Sequence, residues 1–283
     1  MSRICIDIDA VVEEFLTRPL DTTWYPYVFL DATYVDVRSN GHVTSKAVVV
    51  ATGVSAQGRR VILGMDIGDS ESTYFWTEFL RSLRERGLKV ATDTDPLGVQ
   101  VVTSDAHSGI KNAVKAVLSG ASWQRCRLHF ARNVTQTLGS ARSKPVNALI
   151  ATIFAQTTPD AVKECYHQVI SSLSASFPQV ARMLTDAESD LTAFATQPRP
   201  HWQKIWSNNP IERLNREIKR RTDVVQVFPD DASATRLIGA VLQDQDEEWQ
   251  YGERRYLSET SIRELTDQLT HPTTPDTTHL IPA

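Results

Sequence analysis

One stretch places a carboxylate among cations: Ser207-Asn208-Asn209-Pro210-Ile211-Glu212-Arg213-Leu214-Asn215-Arg216-Glu217-Ile218-Lys219-Arg220-Arg221. Asn208 or Asn209 can cap a helix, Pro210 suits its first turn, and Ile211, Leu214 and Ile218 recur at the spacing of a buried stripe. At about 100° per residue, Glu212 shares its face with Asn215, Arg216 and Lys219. Such a face can hold a divalent metal with the acid while the bases hold a polyanion. A solvated helix with surface ion pairs has the same composition, so the reading depends on acids elsewhere. Asp31 lies inside the apolar run Tyr27-Val28-Phe29-Leu30-Asp31-Ala32-Thr33-Tyr34, where an unpaired carboxylate is costly and needs compensation. Asp105 closes a second apolar run, Val99-Gln100-Val101-Val102-Thr103-Ser104-Asp105. Either alone is an ordinary capping or hydrogen-bonded aspartate; on adjacent strands they point to a common site. Glu217 lies about 140° around the helix from Glu212 and cannot share that site. It is expected to pair with Arg213 and Arg221 at the surface.

The elements that must position these acids follow from pattern. Tyr27 to Val37, Val43 to Val54 and Arg60 to Asp66 read as three strands, broken by turns at Ser39-Asn40-Gly41 and Ser55-Ala56-Gln57-Gly58. A helix capped by Ser70 runs to about Arg86 and stops at Gly87. The strand ending at Asp105, a helix from Gly109 to Leu118 and a strand from Trp123 to Leu128 follow. The order β-β-β-α-β-α-β is that of an α/β, ribonuclease-H-like fold with a mixed sheet. Val134 to Phe154, Pro159 to Leu173 and Phe177 to Phe194 read as helices of an insertion placed before the Glu212 helix. The expected organisation is a helical remnant or linker over 1–24, a first core part over 25–133 and the all-helical insertion over 134–206. The Glu212 helix and core completion occupy 207–250, followed by a C-terminal helix and disordered tail over 251–283.

The chain has 283 residues, 41% of them hydrophobic and 23% charged, enough for one large domain with an inserted subdomain. Its net charge of −4 does not announce a nucleic-acid binder, but cations concentrate at 213–221, with smaller clusters at Arg125, Arg127 and Arg132 and at Arg142 and Lys144. Cys5, Cys126 and Cys165 are too scattered for a disulfide framework, which suits a reducing cytosol. No apolar run has membrane-spanning length and no signal peptide opens the chain.

Cys126-Arg127-Leu128-His129 has a metal-type spacing, but no second pair supplies the remaining zinc ligands, so Cys126 and His129 are assigned to the walls of the acid site. His107 supports the loop after Asp105, and Asn215 accompanies Glu212. Trp202 and Trp206, four apart, either pack a core or stack on unpaired bases, and both are carried as DNA-contacting candidates.

Together the motifs resemble the Mutator-type transposases of bacterial insertion sequences. They are Leu30-Asp31-Ala32-Thr33-Tyr34, Gly68-Asp69-Ser70-Glu71-Ser72 with Phe75-Trp76 and Phe79-Leu80, and Ser104-Asp105-Ala106-His107-Ser108-Gly109. Trp123-Gln124-Arg125-Cys126-Arg127-Leu128-His129-Phe130, Asn209 through Arg221 and Val227-Phe228-Pro229 complete the set, in order from about residue 3 to 265. The resemblance implies a DDE transposase whose acidic triad is Asp31, Asp105 and Glu212, with Cys126 and His129 as the C-x-x-H motif. It implies two Mg²⁺ ions, with Mn²⁺ as a substitute, and DNA cleavage and strand transfer on double-stranded DNA, both transposon ends and target. Arg213, Arg216, Lys219, Arg220 and Arg221 would clamp phosphates, in a homodimer assembled on DNA in a nucleoid-associated, cytoplasmic setting. Three features depart from the pattern. The chain starts where members are already past their N-terminal DNA-binding region, the loop Lys89 to Gly98 is long, and Gln226 stands where glycine is common. Two alternatives remain: a truncated, transposition-inactive DNA-binding or dimerisation remnant, and a ribonuclease-H-like nuclease without joining activity.

Overall fold

The computed structural model describes residues 3–271. Helix α1 (Arg3–Thr17) leads into three antiparallel strands, β1 (Tyr27–Ser39), β2 (His42–Val54) and β3 (Arg60–Gly68). The β1–β2 hairpin closes through Asn40 and Gly41, both at positive φ (50° and 82°), the geometry that a two-residue primed turn requires. Helix α2 (Thr73–Glu85), strand β4 (Val101–Ser104), helix α3 (Ser108–Val117) and strand β5 (Ser122–Arg125) follow. Ser72, not Ser70, caps α2: its hydroxyl accepts the Phe75 N–H at 3.1 Å.

The helical segment comprises α4 (Arg127–Leu138), α5 (Ser140–Ala151), α6 (Pro159–Ser174), α7 (Pro178–Thr192) and the single turn α8 (Trp202–Ile205). The single helix expected from Val134 to Phe154 is broken at Gly139, whose φ of 77° no helix accommodates. The strand expected to reach Leu128 ends at Arg125, because Cys126 opens α4. Then come α9 (Asn209–Val225), the two-residue strand β6 (Val227–Phe228), α10 (Asp231–Tyr251) and α11 (Glu259–Thr270). The tail expected to be disordered lies, beyond His271, outside the described residues.

The sheet is mixed, in the order β3-β2-β1-β4-β5. β4 and β5 run parallel to their neighbours, and β6 adds a parallel bridge to the far end of β1 at Asp36 and Val37. Strand alternation sends β1 side chains to two cores. Val28 and Leu30 pack with Trp76, Phe79 and Leu80 of α2 and Ile110 of α3. Tyr27, Phe29, Val35 and Val37 pack on the other face with α9, α10 and the helical segment. Each buried side chain of this size contributes about 1.5–3 kcal/mol.

Helix α1 belongs to the second core through Phe15, with Val12 buried beside it. It lies so close to α10 that a Cβ on Gly239 would meet Val12 Cγ1 at 2.3 Å. Arg236 of α10 grips Asp9 with both prongs at 2.6 and 2.8 Å.

Candidate active site

The acids are brought together by strand register. β1 and β4 are aligned as Tyr27 to Val101, Val28 to Val102 and Phe29 to Thr103. Continued two residues past the last paired position, that register sets Asp31 opposite Asp105, near enough for the Asp105 charge to act on Asp31. Asp105 is the first residue past β4, and its Oδ1 accepts the His107 N–H at 3.3 Å, turning the chain into α3. Two like charges in a partly buried place oppose ionisation. Burial first, and the Asp105 carboxylate second, push Asp31 up to about 7. Asn215 of α9 donates to Asp31 Oδ2 at 2.8 Å.

The third acid is delivered by a stitched segment. Thr103 Oγ1 donates to the Ile205 carbonyl at 2.6 Å, and the Arg127 N–H to the Trp206 carbonyl at 3.0 Å. Asn208 then makes the decisive connections. Its Nδ2 donates to the Leu30 carbonyl at 2.9 Å and its backbone N–H to Cys126 Sγ at 3.3 Å. The Cys126 N–H itself donates to the Ser104 carbonyl, so β1, β4 and the start of α4 all meet the entrance of α9. Asn208 holds the capping position, but its side chain makes no cap and instead ties the helix to the residue preceding Asp31. Burial raises the Cys126 thiol, keeping it neutral as an acceptor for that N–H.

Glu212, in the first turn of α9, meets α4. Its Oε1 is 3.1 Å from Arg132 Nη1 and 3.7 Å from His129 Nε2, and its Oε2 accepts from Arg132 Nη2 at 3.4 Å. Burial lowers the His129 pKa, favouring the neutral ring. Among the described residues, no three His, Cys, Asp or Glu side chains form a ready-made metal cage.

The donor set nevertheless fits a divalent cation. Glu212 Oε1 and Asn215 Oδ1 are buried acceptors without a hydrogen bond, the Arg132 contact to Oε1 being misaligned, and Asn215 lies against Asp31. Leaving each such group unpaired costs about 1–3 kcal/mol, and hard oxygen donors beside a mutually repelling acid pair are what Mg²⁺ binds. His107 and His129 each also keep a buried Nδ1 without a partner.

The cations divide into two groups. Arg213, Arg216, Lys219 and Arg221 are exposed and make no ion pair among the described residues. Glu217 pairs with Arg220 at 2.9 Å, not with Arg213 or Arg221 as expected, because Arg220 lies three residues on and reaches back along the helix. Trp202 and Trp206, carried as DNA-contacting candidates, are core residues, buried too deeply to stack on bases. They are 1% and 6% exposed and pack with Phe154 and Phe194 at ring separations of 5.1–5.6 Å. The Trp202 indole donates inward to the Gln197 carbonyl at 2.7 Å. Asn208 and Arg132 are the site residues that sequence reasoning missed. Asn208 was visible only as a cap, and Arg132 only as one charge among several.

Comparison with known proteins identifies the family of the chain. The model of the family "Transposase, Mutator family" matches residues 1–252. The transposase for insertion sequence element IS1081 of Mycobacterium tuberculosis is 45% identical over 255 residues, 89% of this chain and 58% of that protein. The transposase for insertion sequence element IS256 in transposon Tn4001 of Staphylococcus aureus is 34% identical over 260 residues, 91% of this chain and 64% of that protein. The transposase for insertion sequence element IS406 of Burkholderia multivorans is 34% identical over 253 residues, 89% of this chain and 63% of that protein. The chain thus spans about three-fifths of the length of these relatives. No helix among the described residues is long and apolar enough to cross a membrane. By the family match and these identities, the chain belongs to the Mutator family of transposases.

Proposed function

We propose that this chain is the catalytic core of an insertion-sequence transposase, which cleaves DNA and joins transposon ends to a target by metal-dependent phosphoryl transfer. What supports the reading is that Asp105, set opposite Asp31 by continuation of the β1–β4 register, and Glu212, in the helix whose entrance Asn208 ties to β1, both lie near enough to Asp31 for their charges to oppose its ionisation. The sheet order β3-β2-β1-β4-β5, with its antiparallel first three strands and parallel last two, supports a ribonuclease-H-like fold.

Asp31, Asp105 and Glu212 would hold two Mg²⁺ ions, or Mn²⁺ in their place. The chemistry that such a pair of ions would supply there is activation of a water or terminal 3′-hydroxyl and charge stabilisation at the leaving oxygen of a phosphoryl transfer. Asn215 orients the Asp31 carboxylate through its 2.8 Å hydrogen bond. Cys126 and Asn208 fix the helix that carries Glu212, and neutral His129 lines that carboxylate without a permanent charge. Arg213, Arg216, Lys219, Arg220 and Arg221 contact backbone phosphates of double-stranded DNA, transposon end and target alike, which position the duplex without reading its sequence. A dimer on DNA would bring two ends together.

The test is a strand-transfer assay on pre-cleaved DNA carrying the element's ends. Joining that requires Mg²⁺ or Mn²⁺ and is blocked by chelation supports the proposal. Joining undiminished by chelation, or none under any divalent ion, counts against it.

A further inference from the structure

Arg132 is held in a place that the proposed chemistry cannot leave undisturbed. It lies one turn beyond His129 on α4, and its two terminal nitrogens face the two oxygens of Glu212 at 3.1 and 3.4 Å. The Arg132 side chain is 57% exposed and that of Glu212 23%, so the guanidinium covers the solvent side of the acid. The neighbouring cations are committed elsewhere. Arg125 lies over the Phe130 ring at 4.9 Å, and Arg127 lies over Trp206 at 4.6 Å. Arg132 alone of the three combines exposure with donors on the acid.

A guanidinium and a divalent cation cannot both neutralise the same carboxylate edge. The ion pair is exposed enough to be exchanged, its strength corresponding to about a fivefold equilibrium factor at most. A backbone phosphate offers two non-bridging oxygens to the planar guanidinium fork, which can bond both at once. Arg216 and Lys219, exposed on the Glu212 face of α9 and without ion pairs among the described residues, would draw such a phosphate to this edge.

We infer that Arg132 rests on Glu212 in the DNA-free chain and transfers to a phosphate of the bound strand, freeing the carboxylate for metal. The inference rests on the acid-site reading above. DNA and metal binding are then coupled, and the coupling is reciprocal.

Mn²⁺ binding is measured on the whole chain for wild type, Arg132→Gln, Arg132→Lys and Asp105→Asn, with and without a short duplex, and duplex affinity is measured against salt. Without DNA, Arg132→Gln should bind Mn²⁺ up to about fivefold more tightly than wild type. Duplex should tighten Mn²⁺ binding to wild type and do so less for Arg132→Gln. The variant's log–log salt slope should fall by about one, the signature of one lost phosphate contact, which a merely structural ion pair would not give. Arg132→Lys, which keeps the charge but not the fork, should retain the salt slope and lie between the two in Mn²⁺ affinity. It carries the test if thermal unfolding shows Arg132→Gln to be misfolded. Unchanged Mn²⁺ affinity together with an unchanged salt slope in Arg132→Gln overturns the inference. If Asp105→Asn abolishes Mn²⁺ binding in that case, the acid-site reading stands without it. Mn²⁺ binding indifferent to Asp105→Asn overturns the acid-site reading itself.

Discussion

Replacing Asn208 by alanine removes the hydrogen bond that ties the entrance of the Glu212 helix to β1, while all three acids and the Asn215–Asp31 bond are kept. The lost bond is buried, Nδ2 to the Leu30 carbonyl at 2.9 Å, and Asn208 is 0% exposed. A buried hydrogen bond is worth about 1 kcal/mol net, and an acceptor left unpaired costs about 1–3 kcal/mol. Against this, Asn208 Oδ1 is already buried without a partner, so deleting it relieves part of that cost. The net destabilisation should therefore be about 1–2 kcal/mol, read from urea unfolding, and most of the chain should stay folded. Strand transfer should fall much further, by about 100-fold, because a displacement near 1 Å at a reacting group costs that much. An activity loss no larger than the loss of folded protein would refute the idea that Asn208 positions Glu212.

Other predictions follow from the same geometry. Asp31→Asn and Asp105→Asn should each abolish joining while unfolding at the same or higher temperature, since each relieves repulsion between neighbouring carboxylates; a large drop in melting temperature would point to a structural role. Gln226 sits at φ 65°, ψ −63° with an exposed side chain, a strained turn that glycine adopts freely. Gln226→Gly should stabilise the chain by about 1 kcal/mol in denaturant unfolding, and a loss of stability would contradict the strain. His201 is fully buried beside the Tyr27 hydroxyl at 2.6 Å, and burial lowers its pKa to about 4. Its unfolded form takes up a proton below about 6.5 while the native ring does not, so stability is full above that pH and falls as pH drops towards 4. The loss should approach about 2–3 kcal/mol near pH 4, and His201→Gln should remove that part of the pH slope in urea titrations.

What the sequence made legible was local. Asn40-Gly41 announced its hairpin, and Asp31 stood out because a carboxylate in an apolar strand demands a reason. Glu212 emerged from helical periodicity, and the buried stripe of Ile211, Leu214 and Ile218 is observed. What escaped was tertiary. β6 is two residues long and exists only because the end of β1 offers it a partner. Asn208 has the composition of a helix cap, and nothing nearby in sequence reveals that Leu30 is its acceptor. The Trp202 and Trp206 spacing fits a core and a stacking platform equally, and only the aromatic cluster with Phe154 and Phe194 decides. Arg132 and Glu212 are far apart in sequence and meet because α4 and α9 do.

In the proposed site it is Glu212, and not its helix neighbour Glu217, that joins Asp31 and Asp105. Glu212 lies at the α9 entrance tied to β1, whereas Glu217 is engaged in a surface ion pair with Arg220. Metal-dependent joining of pre-cleaved end DNA, measured for Glu212→Gln and Glu217→Gln in parallel, tests this directly. Glu212→Gln should show no joining and Glu217→Gln substantial joining. The opposite ranking would contradict this and assign the third acid to Glu217.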